Sequence, residues 1–241
     1  TGVTGSWSAN VVTITGTPSV SGTFTYTVTM TGGCTGGTNT ATGTITVTPN
    51  NTIARSSAVG TDAQTLCINT AITNITYATT TATGATVSGL PTGVTGSWSA
   101  NVVTITGTPS VSGTFTYTVT MTGGCTGGTN TATGTITVTP NNTIARSSAA
   151  GTDAQTLCIN TAITNITYAT TTATGATVTG LPTGVTGSWS SNVVTITGTP
   201  SVSGTFTYTV TMTGGCTGGM NTATGTITVT PNNTVGAASS T

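Results

Sequence analysis

The chain has 241 residues and almost no charged side chains. It contains no histidine, lysine or glutamate, and its only ionic side chains are Arg55, Asp62, Arg146 and Asp153. The groups that most often act as general acids and bases, form Schiff bases or bind metal ions are therefore missing or rare. The sequence predicts a protein that is not an enzyme and that has no catalytic site, no cofactor and no metal site.

Two kinds of partner are disfavoured for a related reason. The formal net charge is zero, whereas binding to nucleic acid or to an anionic membrane surface depends on clustered Lys and Arg. No apolar run approaches the roughly 18 residues that a membrane-spanning helix needs. We therefore expect no nucleic-acid partner and no membrane insertion in this segment.

Threonine and glycine are abundant, with 75 and 34 residues respectively. Threonine, valine and isoleucine favour extended backbone, and glycine favours turns. Disordered segments, in contrast, combine high net charge with few β-branched residues. The composition therefore predicts an all-β chain with many turns.

The sequence repeats itself with a period of 91 residues. The residues Thr-Gly-Val-Thr-Gly-Ser-Trp begin at Thr1, Thr92 and Thr183. Between 51–141 and 142–232 only four positions differ, and these are Val59/Ala150, Ser88/Thr179, Ala100/Ser191 and Thr129/Met220. A unit of this length lies in the range of one small domain. We therefore expect a row of similar domains, arranged as beads on a string.

Prolines indicate where one unit ends and the next begins. Pro49, Pro140 and Pro231 each follow a strand-like Thr-Gly-Thr-Ile-Thr-Val-Thr segment and precede Asn-Asn-Thr, and proline is typical of a strand end. The predicted division is given by these prolines: 1–49 is the C-terminal part of a repeat, 50–140 and 141–231 are complete repeats, and 232–241 is a tail or the start of a further unit. We expect the chain to be a stretch of a longer array.

The clearest strand in the repeat covers 113–122. Phe115, Tyr117, Val119 and Met121 alternate there with threonines, which is typical of a strand buried on one face only. Further strands are predicted at 52–58, 64–68, 72–79, 85–89, 102–106 and 131–139. Seven short strands in about 90 residues predict an immunoglobulin-like β-sandwich. The predicted fold class is all-β, with tandem immunoglobulin-like β-sandwich domains.

Several segments of the repeat resemble a known type of bacterial surface protein. Gly-Leu-Pro-Thr-Gly-Val at 89–94 and the segment at 102–120, with Thr-Gly-Thr-Pro followed by Gly-Thr-Phe-Thr-Tyr-Thr-Val-Thr, are similar to bacterial immunoglobulin-like repeats. The wider unit, with 62–80 ahead of these segments and Thr-Gly-Gly-Cys behind them, resembles repeats of the very large gliding-motility surface adhesins of Bacteroidota, the SprB type. This resemblance spans the whole chain.

The resemblance implies a function and a location. It implies export by type IX secretion and display outside the cell, on its surface, with the repeats forming a stalk that gives mechanical reach in cell adhesion and gliding motility. The expected partners are neighbouring repeats of the same chain, with surface polysaccharide or a cell-envelope anchor as further candidates. Two alternative functions stay open, a multivalent carbohydrate- or surface-binding module and a self-assembling extracellular fibre.

Five cysteines alternate at separations of 33 and 58 residues, at Cys34, Cys67, Cys125, Cys158 and Cys216. If each bridge lies within a repeat, Cys67 pairs with Cys125 and Cys158 with Cys216. Pairing at the separation of 33 would instead join neighbouring repeats, and free buried thiols are a third possibility. We favour disulfides within the repeats, because small exported domains usually have paired cysteines. Such a bridge would contribute roughly 4 kcal/mol in the chain-entropy model.

The ionic residues recur once in each full repeat. Asp62 and Asp153 follow Gly-Thr and precede Ala-Gln. Calcium sites normally gather several oxygen ligands and more than one acid, so an aspartate that stabilises a turn is the favoured interpretation. Arg55 and Arg146 lie seven residues earlier and are expected to pair with these aspartates or to support the junction between repeats.

Overall fold

The structure is a computed structural model that describes residues 1–33, 36–37 and 39–234. Cys34 and most of the predicted tail 232–241 lie outside the described residues. The first copy of the repeat forms four strands: β1 (Val3–Ser8), β2 (Val11–Gly16), β3 (Gly22–Thr29) and β4 (Thr40–Val47).

Each of the two full repeats forms eight strands. Those of the second repeat are β5 (Thr52–Arg55), β6 (Ala63–Cys67), β7 (Ile75–Thr80), β8 (Gly84–Ser88), β9 (Val94–Ser99), β10 (Val102–Gly107), β11 (Gly113–Thr122) and β12 (Thr131–Thr139). Those of the third are β13 (Thr143–Arg146), β14 (Ala154–Cys158), β15 (Ile166–Thr171), β16 (Gly175–Thr179), β17 (Val185–Ser190), β18 (Val193–Gly198), β19 (Gly204–Thr213) and β20 (Thr222–Thr230).

The eight strands of a repeat pair with one another in two sheets. In the second repeat, one sheet has the order β5-β7-β10-β9 and the other has the order β6-β12-β11-β8. All neighbours are antiparallel except β6 and β12, which are parallel. This is the immunoglobulin arrangement, with strands A, B, E and D in one sheet and C, F and G in the other. The additional strand β6 continues the first strand of the domain into the second sheet.

The predicted fold class, all-β with tandem immunoglobulin-like sandwiches, is confirmed by this topology. The strands β11 and β12 have the predicted bounds, and five others differ from prediction by a few residues at their ends. One strand, β9, was not predicted. It forms a hairpin with β10 through Ala100 and Asn101, which both have positive φ, as type I′ turns require. Asparagine at this turn was the available sequence signal.

The alternating pattern of β11 places its apolar residues in the core between the sheets. Tyr117 and Val119 are fully buried and Met121 is 4% exposed, while the intervening threonines lie on the outer face. Trp98 packs at the edge of this core, half-buried, and its indole Nε1 donates to Thr79 Oγ1 at 3.1 Å. Burial of these side chains is the main stabilising contribution to each sandwich.

The first copy shows what the core looks like when half of it is uncovered. Residues 1–49 contain counterparts of β9–β12 but not of β5–β8. Phe24 is 41% exposed and Tyr26 37% exposed, whereas Tyr117, the counterpart of Tyr26, is fully buried. These two aromatic residues line an apolar groove of about 390 Å³. The four missing strands therefore bury this face in each full repeat.

Candidate functional site: the junction between repeats

A disulfide joins the second repeat to the third. Cys67 is the last residue of β6, and Cys216 lies in the loop between β19 and β20. The two sulfurs are bonded, the Cα atoms are 5.5 Å apart, and the sequence separation of the two positions is 149. The expected contact between neighbouring repeats of the same chain is therefore covalent.

This pairing differs from both arrangements that the spacing suggested. The predicted bridges Cys67–Cys125 and Cys158–Cys216 are not formed, and Cys125 and Cys158 are free thiols. The reason is the direction of β6. Because β6 runs parallel to β12, Cys67 lies beside Thr139, at the end of β12, whereas Cys125 precedes the start of that strand.

The distance that separates Cys67 from Cys125 follows from strand geometry. The strand β12 has nine residues, which at about 3.3 Å per residue span about 30 Å. A disulfide needs Cα atoms within about 7 Å, so these two cysteines of one repeat cannot bond.

We call the end of each sandwich that holds Asn51 or Asn142 its entry pole, and the end that holds Cys67 or Cys158 its exit pole.

An asparagine at each entry pole holds the cysteine loop in place. The side chain of Asn142 donates to Gly214 O at 2.9 Å and to Asn221 Oδ1 at 3.2 Å. Its Oδ1 accepts from the backbone N–H of Cys216 at 3.1 Å, and its own N–H donates to Cys216 O at 2.8 Å. Asn142 is fully buried. It therefore positions Cys216 for the bridge.

Most of this network recurs in the second repeat. Asn51 is also fully buried, and its backbone N–H donates to Cys125 O at 2.9 Å. Its side chain donates to Gly123 O at 2.8 Å. Sequence reasoning treated Asn50 and Asn51 as linker and did not find this role. The recurrence of Asn-Asn after proline in every copy was the signal that could have indicated it.

Comparison of the two repeats shows what the junction covers. Cys67 is half-buried but its counterpart Cys158 is exposed, and Cys216 is 4% exposed while Cys125 is half-buried. At the exit pole the other change is at Thr139, which is half-buried where Thr230 is exposed. At the entry pole, Asn141 and Ile144 are also more buried than their counterparts Asn50 and Ile53, so the junction covers residues of both poles.

The recurring arginine and aspartate form an ion pair, as one of the two predictions proposed. Arg55 Nη1 contacts Asp62 Oδ1, and Arg146 contacts Asp153 in the same way. The side chains of the first pair are 24% and 36% exposed, so solvent screens their attraction and the pair contributes little to stability. Each pair ties the end of β5 or β13 to the turn before the next strand.

A pair of tyrosine hydroxyls joins the two sheets inside each sandwich. Tyr77 on β7 and Tyr117 on β11 have their hydroxyl oxygens 2.9 Å apart, and those of Tyr168 and Tyr208 are 3.0 Å apart. Burial raises the pKa of Tyr77 and, further, that of Tyr117. The hydroxyls of Tyr77 and Tyr117 therefore stay protonated at any ordinary pH. Sequence reasoning placed Tyr117 in the core but did not find the pair.

Within 1–33, 36–37 and 39–234, no three His, Cys, Asp or Glu side chains come together as a metal site would require. Over the same ranges, no helix has the length and apolarity to cross a membrane.

Comparison with known proteins gives similarity of fold alone. The sequence matches no protein-family description and no curated protein. Among solved structures, the I-band fragment I67–I69 from titin has a TM-score of 0.45 and 8% identity, over 70% of this chain and 62% of that fragment. The crystal structure of Rst D1-D2 has a TM-score of 0.47 and 11% identity, over 76% of this chain and all of that one. The sheet order described above, rather than these similarities, establishes the fold.

Proposed function

We propose that this chain is part of a load-bearing stalk in a secreted cell-surface adhesin of the kind that serves gliding motility. Tandem immunoglobulin-like domains suit a structural, extracellular repeat. The observation that supports a mechanical role most directly is the parallel pairing of β6 with β12. The strand β6 is the second strand of the repeat and β12 is the last.

The direction of this pair determines how it resists tension. When the Cys67–Cys216 bridge is reduced, the chain enters the second repeat at the entry pole through Asn51 and leaves at the exit pole after Thr139. Tension then pulls β6 and β12 in opposite directions along their own axes. Five residue pairs from Thr135↔Ala63 to Thr139↔Cys67 link the strands. Their hydrogen bonds are therefore loaded together, in shear, and must break together rather than one after another.

Location outside the cell is supported by chemistry. A disulfide between Cys67 and Cys216 forms and persists in oxidising compartments and is rare in the cytosol. The near absence of charge leaves the Thr-rich faces neutral, which suits a spacer better than a binding surface based on charge. These features support secretion, and the gliding role rests on the sequence resemblance.

The mechanical role can be tested by pulling the reduced chain by its two ends. Thr135 donates its N–H to Asp62 O, and Ile68 donates to Thr139 O. Backbone N–H groups alternate in direction along a strand. The N–H group of Leu66, two residues before Ile68, therefore points to β12, and the N–H group of Thr65 points away from it. Leu66→Pro should therefore lower the unfolding force of the second repeat, while the matched variant Thr65→Pro should change it much less.

The third repeat serves as an internal reference in the same molecule, and Leu66→Ala separates lost packing from the lost hydrogen bond. Equal effects of Leu66→Pro and Thr65→Pro, or no effect of either, would contradict the shear mechanism.

The location is tested separately. Antibodies against this chain should label intact cells that produce it, and labelling only after the cells are permeabilised would rule out surface display.

A further inference from the structure

The strand β9 is an open edge of its sheet, and β17 is the corresponding edge in the third repeat. In the order β5-β7-β10-β9, the strand β9 has a hydrogen-bonded neighbour on one side only, and β17 is last in the order β13-β15-β18-β17. Both strands belong to repeats with all eight strands. An open edge presents unpaired backbone N–H and C=O groups to any strand that can reach it.

The pairing of β9 with β10 determines which backbone groups point outwards. Thr108 donates its N–H to Gly93 O at 3.0 Å, so these residues form a hydrogen-bonded pair of the ladder. In an antiparallel ladder every second pair is hydrogen-bonded, and by this alternation Ser97 is bonded to β10. The N–H and C=O groups of Gly96 and Trp98 therefore point out of the sheet. Within the described ranges of the chain, these groups have no hydrogen-bond partner.

The strand β9 lacks the features that usually block pairing at an edge. Natural edge strands are often protected by charged side chains, by proline or by a bulge. The sequence of β9, Val-Thr-Gly-Ser-Trp-Ser, contains no charged residue and no proline, and β17 has the same sequence. The strand pairs with β10 residue for residue, without a bulge. A strand of a second copy therefore meets no like charge and no missing N–H group.

The side chains of β9 make this edge complementary to itself. Antiparallel pairing through the outward groups places Gly96 of one copy opposite Trp98 of the other, with Ser97 opposite Ser97 on a two-fold axis. Gly96 is exposed and Trp98 is half-buried, and an aromatic side chain packs well across from an edge glycine. Val87 lies beside Gly96 on the side where a Cβ would point, which adds apolar surface for the indole.

We propose that β9 and β17 are homophilic binding edges, at which two copies of this chain associate by antiparallel strand pairing. Two four-stranded sheets then become one sheet of eight strands. Because the two strands have the same sequence, either edge of one copy fits either edge of another. Copies joined in this way run in opposite directions, as the stalks of two facing cells would. That consequence rests on the proposed surface display, whereas the pairing itself does not.

The association can be measured by sedimentation equilibrium of the full chain over a range of concentrations. Lysine at the axis places like charges directly opposite each other, which opposes strand pairing. The variant Ser6→Lys/Ser97→Lys/Ser188→Lys changes the axis position of every copy of the repeat. We expect the native chain to associate reversibly, and we expect this variant to lower the association constant by about fivefold or more.

A matched control carries the same number of added charges away from the edge. Thr116 is exposed on β11, on the outer face of the other sheet, and its counterparts are Thr25 and Thr207. The variant Thr25→Lys/Thr116→Lys/Thr207→Lys should associate nearly as the native chain does. A native chain that stays monomeric would overturn the proposal. Association that both variants weaken equally, or that neither weakens, as contact through the apolar groove of the first copy would give, would also overturn it.

The register of the pair can be tested by cross-linking. In a chain where every cysteine except Cys67 and Cys216 is replaced by serine, Ser97→Cys is introduced together with the same change in the third repeat. The expected pairing brings the two Cα atoms of position 97 to about 4.5 Å, within the range of a disulfide. Mild oxidation with oxidised glutathione should therefore link the copies.

Thr95→Cys, with the same change in the third repeat, is the control for register. In the expected pairing, Thr95 lies opposite Ser99 of the other copy, so the two positions 95 are four residue steps apart along the strands, or about 13 Å. We expect these thiols to form few links. Equal cross-linking at positions 95 and 97, as a parallel pair would give, or cross-linking at neither position, would overturn the proposal.

Discussion

The hydroxyl oxygen of Tyr77 lies 2.9 Å from that of Tyr117 in the core of the second repeat, where the two residues are 2% and 0% exposed. Tyr77 is on β7 and Tyr117 is on β11, which belong to different sheets. These are strands B and F of the immunoglobulin arrangement, the two strands that a disulfide joins in antibody domains. A hydrogen bond between side chains therefore links the sheets here, and the cysteines are used at the junction instead.

Removal of one hydroxyl should destabilise the second repeat. Tyr117→Phe leaves the buried hydroxyl of Tyr77 without this partner, which costs about 1–3 kcal/mol. The double variant Tyr77→Phe/Tyr117→Phe should lose less than twice as much, because no hydroxyl is then left unpaired. Denaturant unfolding measures both. Tyr26→Phe, at the counterpart position that is 37% exposed, is the control and should have little effect.

The same pair predicts how stability depends on pH. Burial raises the pKa of Tyr117 and Tyr77 above the usual value of about 10. Their contribution to stability is therefore complete below about pH 10 and is lost as the pH rises towards the folded-state values. With no histidine in the chain, the melting temperature should be nearly constant from pH 5 to 8 and should fall above about pH 10.

That melting experiment is cleanest in a Cys67→Ser background, where alkaline disulfide exchange does not contribute. The buried pair in the second repeat can be removed by the double phenylalanine variant, which should reduce the alkaline loss for that repeat. A strong shift between pH 5 and 8 would be incompatible with this account.

Gly96 allows the edges of the two sheets to approach. A Cβ at Gly96 on β9 would lie 2.7 Å from the Cβ of Val87 on β8, closer than real Cβ atoms come. Gly96→Ala should therefore cost about 1–3 kcal/mol, because the crowded side chains must move. Gly5, the same position in the first copy, has no such neighbour within 4 Å. Gly5→Ala should leave stability within about 0.5 kcal/mol, and equal effects would contradict this packing.

The bridge at the junction should stabilise the repeats that it joins. Because Asn142 is hydrogen-bonded to Cys216, the bridge ties Cys67 to the start of the folded third repeat and closes a loop of 75 residues. The chain-entropy model gives roughly 4 kcal/mol for such a loop. Cys67→Ser should lower the melting temperature of the second repeat. Cys158→Ser, which removes a free thiol, should not, and calorimetry compares the two.

The sequence was sufficient for the fold and insufficient for the junction. Alternation along 113–122 and the 91-residue period predicted buried strands and repeated sandwiches, because both depend on patterns within one repeat. The pairing of Cys67 with Cys216 depends on the direction of β6 and on which poles of two repeats meet. Spacing along the chain contains neither, so the pairing was predicted wrongly. The roles of Asn142 and Tyr77 depend on contacts between distant segments and were missed for the same reason.

The bridge also changes the covalent path that carries tension. Between residues 50 and 231 the backbone has 181 residue steps, whereas the path through Cys67 and Cys216 has 32, of which 17 are in the second repeat and 15 in the third. Much of the short path runs along β6 and β20, which are already extended. At about 3.4 Å per residue, the two paths have lengths of about 600 Å and about 110 Å.

The most direct test of a stalk with a disulfide between its repeats is to pull the whole chain by its ends. Its contour length is measured in the oxidised and in the reduced state. With the bridge intact, the 149 residue steps between Cys67 and Cys216 bear no tension, so the oxidised chain should be about 500 Å shorter at full extension. Cys67→Ser should behave like the reduced chain and Cys158→Ser like the oxidised one. Equal contour lengths for the oxidised and reduced chains would contradict the account.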